Sequence, residues 1–483
     1  MNPNKVFFYL ILLSTIFIAF LGNSSCAVIV PPTGGPKDTL PPRLVLANPH
    51  NSSLHVSGNK IVLYFDEYVD VKDVSANIAV SPIPKVNPLV ESKLKAVTVK
   101  IKDTLQPNTT YSINFGKAIR DVNEGNILRN FTYVFSTGSY IDSMEYSGRV
   151  LVANTGKADS TLIAILHLKK DDSAVVKERP RYFTRVDSTG HFTFRYIAPG
   201  TYYLYAMKDD ANSRKYLSKS QLFAFADSAV VIGKKNVSLT LYAYAEKDDK
   251  TSGKTSGSKS GTGSKPAAEK PKDKEKDKRL QFSTTIKNGQ FDVLDTLTFV
   301  FANALKIFDS SQLRFTDENY KDIRNYHFIH DSTNKKITLV YNWMDVLDTK
   351  FYLIATKEFA QDSAGRKLLK TDTIPFSTKK ESDYGEVDLR FRNLDLSRNP
   401  VLQFVQSDVV KRSYVFKRSS EFKIRLFEPG EYELRILYDD NKNGVWDPGE
   451  FFGKHRQPEK VQPIRNKLNV KANWDNDKDI PLP

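Results

Sequence analysis

The chain reads as all-β: tandem β-sandwiches, four modules in two pairs, with an N-terminal export segment and a long polar linker between the pairs. Three observations predict this. The 23 Tyr and 30 Phe sit among Val, Ile and Thr in short alternating runs, the composition of strands rather than helices. Turn-forming residues punctuate these runs at short intervals. The chain is also written twice. IAPGTYYLYAMKDD (Ile197–Asp210) returns as FEPGEYELRILYDD (Phe427–Asp440), and YSINFGKAIRD (Tyr111–Asp121) returns as YLIATKEFAQD (Tyr352–Asp362). The second pair runs on into Phe-Ser-Thr in both copies, at Phe135–Thr137 and Phe376–Thr378. The first pair lies about 230 positions apart, far beyond any solenoid period. Turn residues and aromatics recur together and in the same order, as tandem duplication requires. A length of 483 residues accommodates three or four domains at about 100–150 residues each.

The N-terminus reads as an export signal. Val6 to Leu21 is an apolar run interrupted only by Ser14 and Thr15, behind a start charged by Lys5. Its length and flanks suit a signal peptide (1–25) rather than a spanning helix. The run ends at LGNSSC, and Cys26 is the single cysteine, so no internal disulfide exists. Residues 26–42 are rich in Pro and Gly and read as an extended tether.

Strands follow from Arg43. Lys60–Phe65 alternates, Ala96–Ile101 follows, a turn at Leu105–Thr109 leads into Thr110–Phe115, a second turn covers Asp121–Asn126, and Phe131–Phe135 closes the module (43–138). A different β-module spans 144–245: Tyr146–Val150, then Thr184–Phe194 around an Asp-Ser-Thr-Gly turn, then Ala198–Met207. The segment 246–279 holds no Val, Ile, Phe, Tyr or Trp; its Ser/Gly/Thr/Lys and Lys/Asp/Glu composition predicts a disordered linker, the expected first site of proteolysis. The two patterns then repeat over 280–378 and 383–483. Leu297–Phe301 matches Ile61–Phe65, and Trp474 is expected to pack in the last strand.

The formal charge is +15, or +14 without Lys5, part of it in the linker. A solvated basic surface is the expectation. No nucleic-acid module is present, and the export signal argues against nucleic acid as a partner.

One loop has the pattern of a metal site. Taking Asp439 as position 1 places Asn441, Asn443, Asp447 and Glu450 at positions 3, 5, 9 and 12, with Gly444 at 6 and the Val445 carbonyl at 7. That is the spacing of a 12-residue calcium loop. Trp446, Pro448 and a preceding strand depart from the helix-loop-helix form, and the competing reading is a metal-free turn held by Asx hydrogen bonds. The equivalent loop of the first half, Asp209–Lys215, lacks most of the acidic ligands and is expected to bind no ion.

No GxSxG, HExxH or P-loop occurs, and the seven His are scattered. Asp66 and Glu67, read as neighbours on one strand, would point to opposite faces and make a poor acid–base pair. No catalytic residue is assigned.

The order FDE, LQPNTTY, DVNEGN, FST resembles the bacterial immunoglobulin-like domain of S-layer-type proteins. SGRV, VDSTGHFTF and APGTYYLYA resemble the transthyretin-like or carboxypeptidase-regulatory-like β-sandwich, a spacer or stalk module. LGNSSC resembles a bacterial lipobox, with Asn23 in place of the usual apolar residue, and PTGGPKDTLPP resembles the start of Bacteroidota immunoglobulin-like lipoproteins. These resemblances imply lipidation at Cys26 and a non-catalytic lipoprotein anchored in the outer membrane. Its partners would be the membrane, through the lipid, and an envelope protein or glycan. No acidic residue follows Cys26 in Ala27–Val30, so periplasmic face and cell surface both stay open. The Asp-Ser/Thr tripeptides at Asp103, Asp172, Asp227, Asp295, Asp362 and Asp372 resemble an O-glycosylation acceptor, or are simply turn starters. A glycan-binding adhesin is the alternative function, and a carbohydrate-active hydrolase stands third.

Overall fold

The computed structural model describes residues 37–233, 237–246 and 279–482. The expected signal peptide, Cys26, most of the expected tether and residues 247–278 of the expected linker lie outside the described residues. The chain divides into two compact units, Met1–Ile141 and Asp142–Pro483.

The first unit holds one sandwich. Leu44–Asn48, Lys60–Phe65, Ala96–Lys100 and Leu89–Lys93 form one antiparallel sheet in that order. Ala79–Ser81, Thr110–Asn114 and Thr132–Ser136 form the other, and Val69–Val71 pairs with Ile119–Asp121 as a short ribbon. The period of two is explicit: Ile61, Leu63 and Phe65 are buried while Lys60 and Tyr64 are exposed. With Val97, Val99, Ile113, Phe115, Tyr133 and Phe135 they make one core.

Three sandwiches make up the second unit. In the first of them Met144–Val152 lies between His191–Ile197, antiparallel, and Thr240–Ala243, parallel. The facing sheet runs Tyr182–Arg185, Leu162–His167, Gly200–Lys208, Phe223–Phe225, and Val230–Ile232 pairs with the start of Gly200–Lys208. The C-terminal sandwich repeats this strand for strand. Gly385–Arg392 sits between Glu421–Phe427, antiparallel, and Asp475–Pro481, parallel. Opposite are Val409–Val415, Pro400–Gln406, Gly430–Tyr438 and Lys460–Pro463, with Leu468–Val470 on the start of Gly430–Tyr438. Between them in sequence, the sheets Phe282–Thr284, Leu297–Phe301, Lys336–Val340, His327–His330 and Gln290–Phe291, Asp372–Thr378, Lys350–Ala355, Leu313–Asp317 enclose an aromatic core around Phe291, Phe315 and Trp343. The α-helices among the described residues are single turns, Val74–Asn77 and Ala174–Lys177. None is long and apolar enough to cross a membrane.

The duplicated motifs have duplicated jobs. The Tyr202 hydroxyl donates to the Ala198 carbonyl (2.9 Å) and the Tyr432 hydroxyl to the Glu428 carbonyl (3.0 Å), each tying a strand to the turn before it. Asp121 accepts from the amides of Glu124, Gly125 and Asn126, and Asp362 from those of Ala364 and Arg366. Burial raises both carboxyls, but these hydrogen bonds hold them below the usual carboxylate range.

Two expectations are corrected. Trp474 does not pack in the last strand. It is 62% exposed in the turn before Asp475, under the Lys471 ammonium. Asp66 and Glu67 lie in a bend after Phe65 and not on the strand, where Asp66 accepts from the Arg43 amide (2.8 Å).

The second and fourth sandwiches of the chain pack on each other. Phe451, reaching over from the C-terminal sandwich, has its ring centre 5.8, 5.0 and 5.1 Å from those of Tyr205, Phe223 and Phe225. Phe452 stacks on Tyr216 (6.0 Å). The Val461 amide donates to the Ala153 carbonyl (3.1 Å), and Gln457 to the Phe225 carbonyl and to Asp227 (3.0 and 2.7 Å). Gly156, at φ +66°, permits this approach: a Cβ there would lie 2.4 Å from the Val461 carbonyl oxygen.

His167 lies beside this cluster, buried, edge-on to Tyr205 (5.8 Å), with no hydrogen-bond partner on Nε2. Burial pushes it down to about 4, against the opposing charge of Glu178. A base whose folded pKa lies below its unfolded value of roughly 6.5 contributes stability that is complete above that pH and lost as pH falls toward the folded value. The loss amounts to roughly 3 kcal/mol by pH 4. Urea titrations at stepped pH should show this acid arm in the second unit and lose most of it in His167→Phe. An identical pH dependence in that variant would remove His167 as the cause.

Candidate metal loop and the surfaces around it

The strand Gly430–Tyr438 delivers Asp439 to the end of the sheet, where it is buried. Its carboxylate closes the following turn, accepting from the Asn443 amide (3.3 Å) and the Gly444 amide (2.6 Å). Asn441 and Asn443 continue the pattern, their side-chain oxygens accepting from the amides of Asn443 and Val445. Both side-chain NH2 groups donate to one Asp447 oxygen, at 2.6 and 2.5 Å. Four of the expected ligand side chains, Asp439, Asn441, Asn443 and Asp447, therefore share this turn, and Val445 stands exposed on it.

Glu450 is elsewhere. Its backbone pairs with Arg456, and its carboxylate meets the Lys454 ammonium at 2.9 Å. Pro448 and Gly449 intervene where a calcium loop would turn into a helix, so the chain leaves the loop before position 12. The carboxylate at the loop's base is instead Glu459, which sequence spacing does not single out. It is buried, accepts from the amides of Asp440 (3.0 Å) and Asp447 (2.9 Å), and its own carbonyl receives the Trp446 indole N–H (2.8 Å). Burial raises its pKa and the neighbouring Asp439 charge adds to that, while the amides oppose it. Among the described residues no three His, Cys, Asp or Glu side chains converge in a metal-binding group. The donor set fits calcium chemistry in four side chains, two charged and two neutral, and departs from it at Glu450.

The first-half loop is built the same way with other residues. Asp209 accepts from the amides of Ser213 (2.9 Å) and Arg214 (3.0 Å), the same fourth and fifth positions. Arg214 takes the left-handed backbone at φ +53° that Gly444 takes at +77°. Its guanidinium lies over the Phe183 ring (4.3 Å) and its Nη1 donates to the Asn212 carbonyl. A single Asp carboxylate thus closes each turn through the amides at the fourth and fifth positions after it.

Of the Asp-Ser/Thr tripeptides, Thr104, Ser228, Thr296, Ser363 and Thr373 are exposed and Ser173 is half-buried. Of their aspartates, Asp362 closes a turn, and Asp103 accepts from the Val86 amide seventeen positions before it.

Residues 38–137 match the family model of the bacterial Ig-like domain. No curated protein matches the chain. Among solved structures, BcpA, the major pilin subunit of Bacillus cereus, is similar at 9% identity over 70% of this chain and 99% of its own, with a TM-score of 0.17. The Bacillus anthracis TIE protein is similar at 11% identity over 93% and 75%, TM-score 0.17. The N-terminal part of the bacterial S-layer protein SbsC is similar at 18% identity over 43% and 45%, TM-score 0.16. Likeness at these TM-scores carries no argument. The chain is an all-β protein of tandem β-sandwiches whose first sandwich matches the bacterial Ig-like domain family.

Proposed function

We propose that this chain is a non-catalytic, modular protein of the bacterial cell envelope, tethered to the outer membrane through a lipid on Cys26, with its sandwiches serving as spacer and interaction surfaces. One observation carries the reading. The polar residues that recur between the halves, Asp121 and Asp362, Asp209 and Asp439, Tyr202 and Tyr432, all close turns or tie strands. The match at residues 38–137 begins shortly after Cys26, which supports an ectodomain on a short tether. A lipid contributes about 0.8 kcal/mol per buried methylene, so a multiply acylated cysteine holds the membrane stably. The test is Cys26→Ala in the native host. Incorporation of a fatty-acid probe should vanish and the protein should leave the membrane fraction. Labelling and fractionation identical to wild type would overturn the anchor.

Calcium at the Asp439 loop is a second, separable proposal, favoured by the four oxygen-bearing side chains that the turn gathers. Asp439, Asn441, Asn443 and Asp447 would hold the ion, with the Val445 carbonyl. The ion would offset the mutual repulsion of the Asp439, Asp447 and Glu459 carboxylates.

A further inference from the structure

Between the third sandwich and the C-terminal sandwich lies a cleft of about 480 Å³. Its floor is cross-linked. The Tyr384 hydroxyl donates to Asp292 (2.7 Å) and accepts from the Val293 amide (3.1 Å), and the Lys379 ammonium meets the other Asp292 oxygen at 2.6 Å. Leu426 of the C-terminal sandwich is buried in the core of the third. The walls are therefore held in place without a ligand.

One wall is the strand Val409–Val415, the edge of its sheet. Successive residues of a regular strand face opposite ways. Here Phe404 pairs with Arg412 and Val405 with Val410, which leaves Lys411 as the extra residue of a β-bulge. Both Lys411 and Arg412 then line the cleft. The Arg412 guanidinium lies over the Phe427 ring (4.8 Å), and its Nη1 is buried without a hydrogen-bond partner. The side chain as a whole is only half-buried and lines the cleft beside the exposed Lys411, and a lining with an excess of cations favours an anion.

Lys287, Lys411 and Arg412 face Asp295 and Glu428 in this cleft, with Lys379 already neutralised by Asp292. The balance is one net positive charge. Thr285, Asn288 and Gln290 add neutral donors and acceptors. Phe427 and Tyr432 are buried, so no aromatic platform is offered to a neutral sugar ring and no apolar pocket to a peptide side chain. We infer that this cleft binds a carboxylate-bearing saccharide, its carboxylate paired with Arg412 between Lys411 and Lys287, and its hydroxyls with Asn288 and Gln290. The inference gives a ligand class to the interaction surface proposed above. It stands apart from the anchor, since a lipidated spacer needs no ligand.

Titration calorimetry on the full mature chain with trigalacturonate, and with its methyl ester as the neutral control, tests it. The acid should bind saturably, the ester at least about tenfold more weakly, as for the loss of a charge-assisted hydrogen bond. Arg412→Gln and Lys287→Gln should each weaken the acid. Lys287 is exposed on the opposite wall, so its variant is informative even where Arg412→Gln lowers the melting temperature. No saturable binding, equal binding of acid and ester, or wild-type affinity in Lys287→Gln would overturn the proposal. Membrane fractionation is unchanged in either outcome, which keeps this test distinct from that of Cys26.

Discussion

Phe451→Ala should let the two halves of the chain come apart once the connection between them is cut. Phe451 is 1% exposed and wedged among Tyr205, Phe223, Phe225 and His455. Truncating a buried Phe costs about 3–5 kcal/mol, and each 1.4 kcal/mol is about tenfold in an association constant. The polar contacts around it are weaker holders. The pair of His455 with Asp172 (2.6 Å) is on half-exposed side chains, and that of Lys157 with Glu433 (2.8 Å) is solvated. With a specific protease site placed between residues 247 and 278, the cleaved wild-type chain should elute from gel filtration as one species. The cleaved Phe451→Ala chain should elute as two at micromolar concentration. Separate fragments from the cleaved wild type, or one species from the variant, would show that the aromatic cluster does not hold the halves.

The second large effect is expected at Asp439. The side chain is 1% exposed, and its two oxygens serve the amides of Asn443 and Gly444. Hydrogen bonds to a charged group contribute roughly 1.5–3 kcal/mol each, and removing the acceptor leaves buried donors unpaired. Relief of the Asp439–Glu459 repulsion returns part of this. The net expectation for Asp439→Ala is a destabilisation of about 2–4 kcal/mol, read by urea unfolding in chelator. Asp209→Ala should behave alike in the first half, where the same fourth- and fifth-position amides depend on the carboxylate.

Calcium is tested in the same experiment. An ion that binds only the folded loop raises its melting temperature by mass action. A shift present in wild type, absent in Asp447→Asn and retained in Glu450→Gln would establish a site of the composition seen here. A shift abolished by Glu450→Gln would restore the 12-residue spacing. Equal melting curves with millimolar calcium and with chelator would leave the turn to its Asx hydrogen bonds.

Much of the architecture was legible in the residues. Alternation marked Lys60–Phe65 and Leu297–Phe301 as strands, because a half-buried strand writes its two faces into neighbouring positions. The paired motifs revealed the duplication, because each turn needs the same Asp carboxylate or Tyr hydroxyl in both copies. Trp474 and Glu459 were not legible, for opposite reasons. A large aromatic near a strand is core only if another sheet covers it, and among the described residues Trp474 is left 62% exposed under the Lys471 ammonium. Glu459 lies twenty positions from Asp439 and joins the loop only through the pairing of Lys460–Pro463 with Gly430–Tyr438.

The sequence by itself determined the all-β class, the two-fold repeat and the placing of turns at Asp121, Asp209, Asp362 and Asp439, since all of these rest on local periodicity and turn-forming residues. Only the tertiary structure decided that Glu450 turns to Lys454 and away from the loop, that Phe451 joins two sandwiches written on opposite sides of the linker, and that a bulge at Lys411 lets Arg412 share a cleft with Lys287. The last two depend on residues far apart in the chain, whose meeting is set by sheet register and module packing and leaves no periodic mark in the sequence; the first depends on the local bridge of Glu450 with Arg456, which the 12-residue spacing does not show.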